Sequence, residues 1–92
     1  MIVSFQCPQT RALAEGQHVK RFQNIERAVL RKIRQLQVAE RLDDLKVPPG
    51  NRLQALKGEW SGQYSIRVNE QFRVCFRWTP TGAEDVEIVD CH

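Results

Sequence analysis

The sequence predicts an α+β fold: a short N-terminal strand and two or three helices packed on one face of a twisted, mainly antiparallel sheet. Three observations predict it. A helical apolar period occupies the first half of the chain, two-residue alternation occupies the second, and Pro48-Pro49-Gly50 separates them. Helices followed by strands joined through short turns give helices segregated on an antiparallel sheet. With 92 residues the chain is expected to form one domain over 1–92, because compact domains commonly run to about 100 to 200 residues.

Residues 2–5, Ile-Val-Ser-Phe, are β-branched and aromatic and run into Cys7-Pro8, which predicts an opening strand at a sheet edge, stopped by the proline. Thr10 is the predicted cap of a short helix over 11–15 that ends at Gly16. Residues 20–39 hold neither Gly nor Pro and are predicted to form the main helix. At about 100° per residue, Phe22, Ile25, Val29, Ile33 and Leu36 fall within an arc of about 80°, with Lys20, Arg27, Arg31 and Arg34 opposite. One face packs and the other is cationic. Leu42-Asp43-Asp44-Leu45 adds a helical turn, and 47–51 breaks regular structure.

Four strands are predicted beyond that break, over 53–56, 63–68, 72–78 and 86–89, with turns at 58–62, 69–70 and 80–82. In 72–78 the alternation puts Phe72, Val74, Phe76 and Trp78 on one side and Arg73, Cys75 and Arg77 on the other. Parity alone leaves open which side meets the helices.

The formal net charge is +3, yet residues 20–34 carry six basic residues against Glu26 alone, a local +5, so the remainder is slightly acidic. The cationic face is either a solvated surface or a surface for phosphates or an acidic protein. No apolar stretch is long enough to span a membrane, and the start lacks the features of a signal peptide, so a soluble cytoplasmic protein is expected. Cys7, Cys75 and Cys91 match neither a disulfide framework nor a zinc pattern, which predicts reduced thiols, with Cys75 filling core volume. No Gly-rich phosphate loop, H-E-x-x-H or G-x-S-x-G occurs. Nucleotide-dependent, zinc-hydrolase and serine-hydrolase chemistries are thereby excluded, and no metal or cofactor is expected.

Only two histidines are present. His18 lies between predicted helices and is expected to be an exposed loop residue. His92 closes Asp90-Cys91-His92, directly after the last predicted strand, so these side chains are expected to be held at the sheet end. Lys57, Arg67 and Arg73 on neighbouring strands supply cations. Together such groups suit phosphodiester cleavage: a base takes the 2′-hydroxyl proton, cations stabilise charge building on phosphorus, and an acid protonates the leaving oxygen.

The segments Pro48-Pro49-Gly50-Asn51-Arg52-Leu53, Gly62-Gln63-Tyr64-Ser65-Ile66-Arg67-Val68-Asn69, Gln71-Phe72-Arg73-Val74-Cys75-Phe76 and Val86-Glu87-Ile88-Val89-Asp90-Cys91-His92 resemble the HigB toxins. These belong to the RelE-like superfamily of bacterial toxin-antitoxin modules. The resemblance extends over essentially the whole chain and is most specific in its second half. It implies a ribonuclease that cleaves mRNA in the ribosomal A site without a metal and is silenced by a HigA-type helix-turn-helix antitoxin, through which alone it would meet operator DNA.

Carried over by position, Arg73 matches the arginine that stabilises the transition-state phosphate, and Asp90 and His92 match the C-terminal catalytic pair. Lys57 matches a basic active-site position, Arg67 and Arg52 are expected substrate contacts, and Gln54 stands where some relatives carry histidine. The exposed face of Lys20, Arg27, Arg31 and Arg34 is expected to meet ribosomal RNA. Members usually end Asp-Tyr-His, whereas here Cys91 replaces the aromatic; a thiol cannot stack on a base, although it can exchange a proton. Tyr64 and Trp60 are the aromatic candidates to replace that stacking. Two other functions fit the same residues: a weakened toxin retained as an antitoxin-binding co-repressor, and a non-catalytic RNA-binding module. If the site lies at the chain end, a C-terminal extension or the loss of one residue is expected to matter.

Overall fold

The second half of the chain builds the sheet, as its alternation predicts. The computed structural model describes residues 1–60 and 62–90. Within them, β1 (Gln54–Ala55), β2 (Gln63–Arg67), β3 (Phe72–Thr79) and β4 (Gly82–Asp90) form one antiparallel sheet in the order β1-β2-β3-β4. The hairpin between β2 and β3 turns on Asn69, whose Oδ1 accepts from the backbone N–H groups of Gln71 and Phe72 at 2.8 and 2.7 Å.

Packing resolves the parity of β3. Phe72, Val74 and Phe76 are buried and join two apolar clusters with helix residues, one around Leu36 and Leu45, the other around Leu13, Phe22, Val29 and Ile33. Arg73, Cys75 and Arg77 therefore occupy the opposite face. Burying each large apolar side chain stabilises the fold by roughly 1.5 to 3 kcal/mol, so the apolar face goes under the helices.

The main helix differs from the predicted one. Lys20–Ile25 is a 3-10 segment, and the α-helix proper, α2, spans Glu26–Val38. Phe22 leaves helical dihedrals (φ −109°, ψ 15°), and so does Ile25 at the cap of α2 (φ −120°, ψ 6°). The bend turns the fully buried Phe22 onto Phe72, edge to face at 6.0 Å. Tertiary packing sets this break where the sequence holds no Gly or Pro. Glu26 then occupies the first turn of α2, where a carboxylate favours the helix dipole.

The first helix, α1 (Pro8–Ala14), starts earlier than the predicted 11–15, with proline in its first turn and Cys7 at the cap position. Thr10 is not the cap. It is fully buried, and its Oγ1 accepts the Ile88 backbone N–H at 3.1 Å, tying α1 to β4. Leu42–Lys46 and Pro49–Asn51 are 3-10 turns.

The opening segment lies at a sheet edge as predicted, beside β4, but only as two isolated parallel bridges, Ile2 to Ala83 and Phe5 to Val86. A bulge explains the interruption: Cys75 pairs with Glu87 and Arg77 with Glu84, leaving Asp85 and Val86 opposite Phe76, with Asp85 at φ 54°. β4 begins before the predicted 86–89 because Gly82, Ala83 and Glu84 pair with Thr79, Trp78 and Arg77. At Gly82, φ 134°, a Cβ would collide with the Met1 carbonyl, so glycine permits this close approach. β1 is shorter than the predicted 53–56 because only Gln54 and Ala55 pair with β2. Among the described residues no helix is long and apolar enough to cross a membrane.

Candidate active site

The sheet face turned away from the helices carries a cleft of about 420 Å³ lined by Gln54, Leu56, Lys57, Ser65, Arg73, Cys75 and Val89. Strand parity assembles it. Ser65 pairs with Cys75, and Arg73 pairs with Arg67 on one side and Val89 on the other, so these residues share a face. Short β1 brings Gln54 to the rim opposite Ser65.

Arg73 is the fixed charge of this cleft. Its Nε donates to Ser65 Oγ at 2.7 Å, and its Nη2 donates to the Arg52 carbonyl at 2.8 Å. A guanidinium has five N–H donors, so bonds at two nitrogens orient the fork and leave donors for an anionic ligand. Leu56, Cys75 and Val89 give the cleft an apolar lining in which charge is screened less than in water.

Of the expected site residues, Arg73, Lys57 and Gln54 come together in this cleft. Arg67 stands beside them in register, but its Nε is committed to the Asn69 carbonyl at 3.1 Å. Arg52 contributes its backbone carbonyl, while its side chain is exposed. Asp90 pairs with Phe72, which puts it on the helix side of the sheet end, where its Oδ2 accepts from Gln71 Nε2 at 3.0 Å. Cys91 and His92 lie outside the described residues. Tyr64 pairs with Phe76 and packs against it at 6.3 Å under the helices. It does not reach the cleft.

Arg27, Arg31 and Arg34 are exposed on α2, on the other side of the sheet from the cleft, and Lys20 sits on the preceding 3-10 segment outside the helix register. His18 is exposed as expected, and its Nδ1 meets Glu26 Oε1 at 3.0 Å. Among the described residues, no group of three or more His, Cys, Asp or Glu is arranged to hold a metal.

Four cleft residues escape the sequence reading, the first of them Leu56, which reads as an ordinary apolar strand residue. Ser65 is fully buried yet polar, and its parity with Arg73 was the signal available. Cys75 is buried as expected but lines the cleft and belongs to neither helix-facing cluster. Val89 reads simply as a strand residue.

Helices packed on one face of a four-stranded antiparallel sheet are consistent with the RelE-like class of α+β toxin folds. The family comparison is more specific. The family model of the RelE-like toxin of the type II toxin-antitoxin system HigB matches residues 13–92, and the chain belongs to this HigB-like toxin family. It is 47% identical over 55 residues to Toxin HigB-1 of Vibrio cholerae serotype O1, covering 60% of this chain and 58% of that protein. It is 34% identical over 61 residues to an uncharacterized protein of Haemophilus influenzae, covering 66% of this chain and 60% of that one. The matches thus span less than two thirds of either relative's length.

Proposed function

We propose that this chain is the toxin of a type II toxin-antitoxin pair and an endoribonuclease that cleaves mRNA in the ribosomal A site. The observation that carries the reading is Arg73, oriented by Ser65 and the Arg52 carbonyl beside Lys57 in the cleft. Charge develops on the phosphate oxygens as the 2′-hydroxyl attacks, and a preorganised guanidinium with a nearby ammonium stabilises it. The attack forms the bond from the 2′-oxygen to phosphorus and breaks the bond to the 5′-oxygen. One group takes the 2′-hydroxyl proton and another delivers a proton to the departing oxygen.

His92 is the proposed proton-transfer residue, with Cys91 beside it in sequence. Asp90 contributes as a positioning residue, anchoring the strand that leads to them through Gln71. Gln54, Arg52 and Arg67 are proposed substrate contacts. Lys20, Arg27, Arg31 and Arg34 are proposed to hold ribosomal RNA, because their surface lies away from the cleft. A HigA-type helix-turn-helix antitoxin is the proposed partner, and the cytoplasm the proposed compartment.

Inducing the chain in growing bacteria tests the reading: growth arrest with mRNA cut inside reading frames is expected, and intact mRNA contradicts it.

A second reading has one observation in its favour: among the described side chains, which do not include that of Trp60, no aromatic lines the cleft. A weakened toxin retained as a co-repressor predicts a large gain in toxicity for Cys91→Tyr. The primary reading predicts little change.

A further inference from the structure

The cleft arginine is tied to α2 by a hydrogen-bond network that passes through Asn51. Asn51 is fully buried. Its Oδ1 accepts from Lys32 Nζ at 2.5 Å, and its Nδ2 donates to Gln35 Oε1 at 2.7 Å and to the Leu45 carbonyl at 3.1 Å. A buried amide is tolerated when its donors and acceptor are satisfied, and these three bonds satisfy them. Lys32 keeps its place although burial, and then neighbouring Arg31, lower the pKa of its ammonium.

The bonds fix the end of the 3-10 turn Pro49–Asn51, and Arg52 follows in the left-handed region at φ 46°, ψ 55°. A residue with a side chain stays there only where its surroundings hold it. In that conformation the Arg52 carbonyl accepts Arg73 Nη2 at 2.8 Å. Asn51 is not among the cleft-lining residues, so its influence on the cleft runs through the backbone.

We propose that Asn51 is a positioning residue for RNA cleavage: anchored by Lys32 and Gln35 of α2, it holds Arg52 in the turn whose carbonyl orients the Arg73 guanidinium. This inference rests on the endoribonuclease reading above. It assigns a role to a residue whose sequence context marks only a break in regular structure.

The test is a double-mutant cycle on the full chain, with single-turnover cleavage of ribosome-bound mRNA measured for wild type, Asn51→Ser, Arg73→Ala and the pair. Asn51→Ser is expected to slow cleavage about tenfold, because small misplacement of a catalytic group carries penalties of that order, with half-saturating concentration changed less than about twofold. In the Arg73→Ala background the same substitution is expected to change cleavage less than about twofold, since coupled residues are non-additive. Equal losses in both backgrounds overturn the proposal.

If Asn51→Ser does not fold, Lys32→Met removes the α2 anchor from the helix surface and carries the same expectations. Hydrogen exchange at Arg73 Nε, followed by NMR, gives a readout independent of cleavage: faster exchange in Asn51→Ser or Lys32→Met supports the proposal, and unchanged exchange overturns it. A wild type that cuts no mRNA overturns the endoribonuclease reading itself, while the Arg73 signal still decides whether Asn51 orients the arginine.

Discussion

Arg73 Nε donates to Ser65 Oγ at 2.7 Å across β2 and β3, although the two residues are not register partners: Ser65 stands opposite Cys75, and Arg73 opposite Arg67. This diagonal bond swings the guanidinium over the sheet towards β1. The Arg52 carbonyl then receives its second nitrogen at 2.8 Å. The hydroxyl is fully buried and the guanidinium half-buried, so the bond is partly shielded from water.

Ser65→Ala removes that acceptor. The expected loss of stability is about 1 kcal/mol, below the usual range for a charged hydrogen bond because water reaches Arg73. Cleavage is expected to fall by about tenfold through misorientation of the guanidinium. Urea unfolding and single-turnover cleavage check the two numbers separately.

Thr10→Val removes the oxygen that accepts the Ile88 N–H between α1 and β4. The group left unsatisfied is buried, so a stability loss of about 1 to 3 kcal/mol is expected. The cleft lies on the other sheet face, so per-molecule cleavage at low temperature should stay near wild type. A lower urea midpoint with an unchanged slope is the expected result.

Asp44 gives a pH dependence with a definite sign. Backbone N–H groups of Arg41 and Glu40 donate to its carboxylate, and these bonds, Arg41's first, lower its pKa from the ordinary 3.8. A carboxyl depressed on folding binds fewer protons in the native state. Its contribution is therefore full above 3.8 and is lost as the pH falls through the lowered native value. Asp44→Asn is expected to be less stable than wild type at neutral pH and to match it at strongly acidic pH. Chemical unfolding at both ends of the range checks this.

Reversing charge at Arg27 and Arg31 together is expected to weaken ribosome binding and flatten its salt dependence, since each lost phosphate contact lowers the slope by about one unit. The cleft should be unaffected, because both residues lie on exposed α2 across the sheet. Sedimentation with ribosomes at several salt concentrations, alongside far-UV spectra, measures both.

The fold was legible where one periodicity dominated. Alternation in 72–78 marked the two faces of β3 correctly, and the arc of Val29, Ile33 and Leu36 marked the buried stripe of α2. Legibility failed where tertiary contacts overrode local signals. Phe22 bends the chain to reach Phe72, and Thr10 turns inward to a strand distant in sequence. The bulge at Asp85 hid the first half of β4 among polar residues.

Arg73 and Lys57 were legible as cations of neighbouring segments and Gln54 through the family resemblance, and all three line one cleft. Asp90 stands opposite Phe72 at the end of β4 and accepts from Gln71, a placement set by register that residue type alone does not give. Ser65 and Asn51 were hidden because their importance depends on bonds to partners 8 and 19 positions away.

The central claim is that an oriented guanidinium at position 73 acts on the RNA phosphate. Arg73→Lys keeps the positive charge but cannot bond Ser65 and the Arg52 carbonyl as a planar fork. Single-turnover cleavage of ribosome-bound mRNA by wild type and Arg73→Lys is the most direct measurement. Cleavage by wild type with a loss of about a hundredfold in the variant, at unchanged ribosome affinity, is the predicted result. Equal cleavage by the two proteins, or none by wild type, contradicts it.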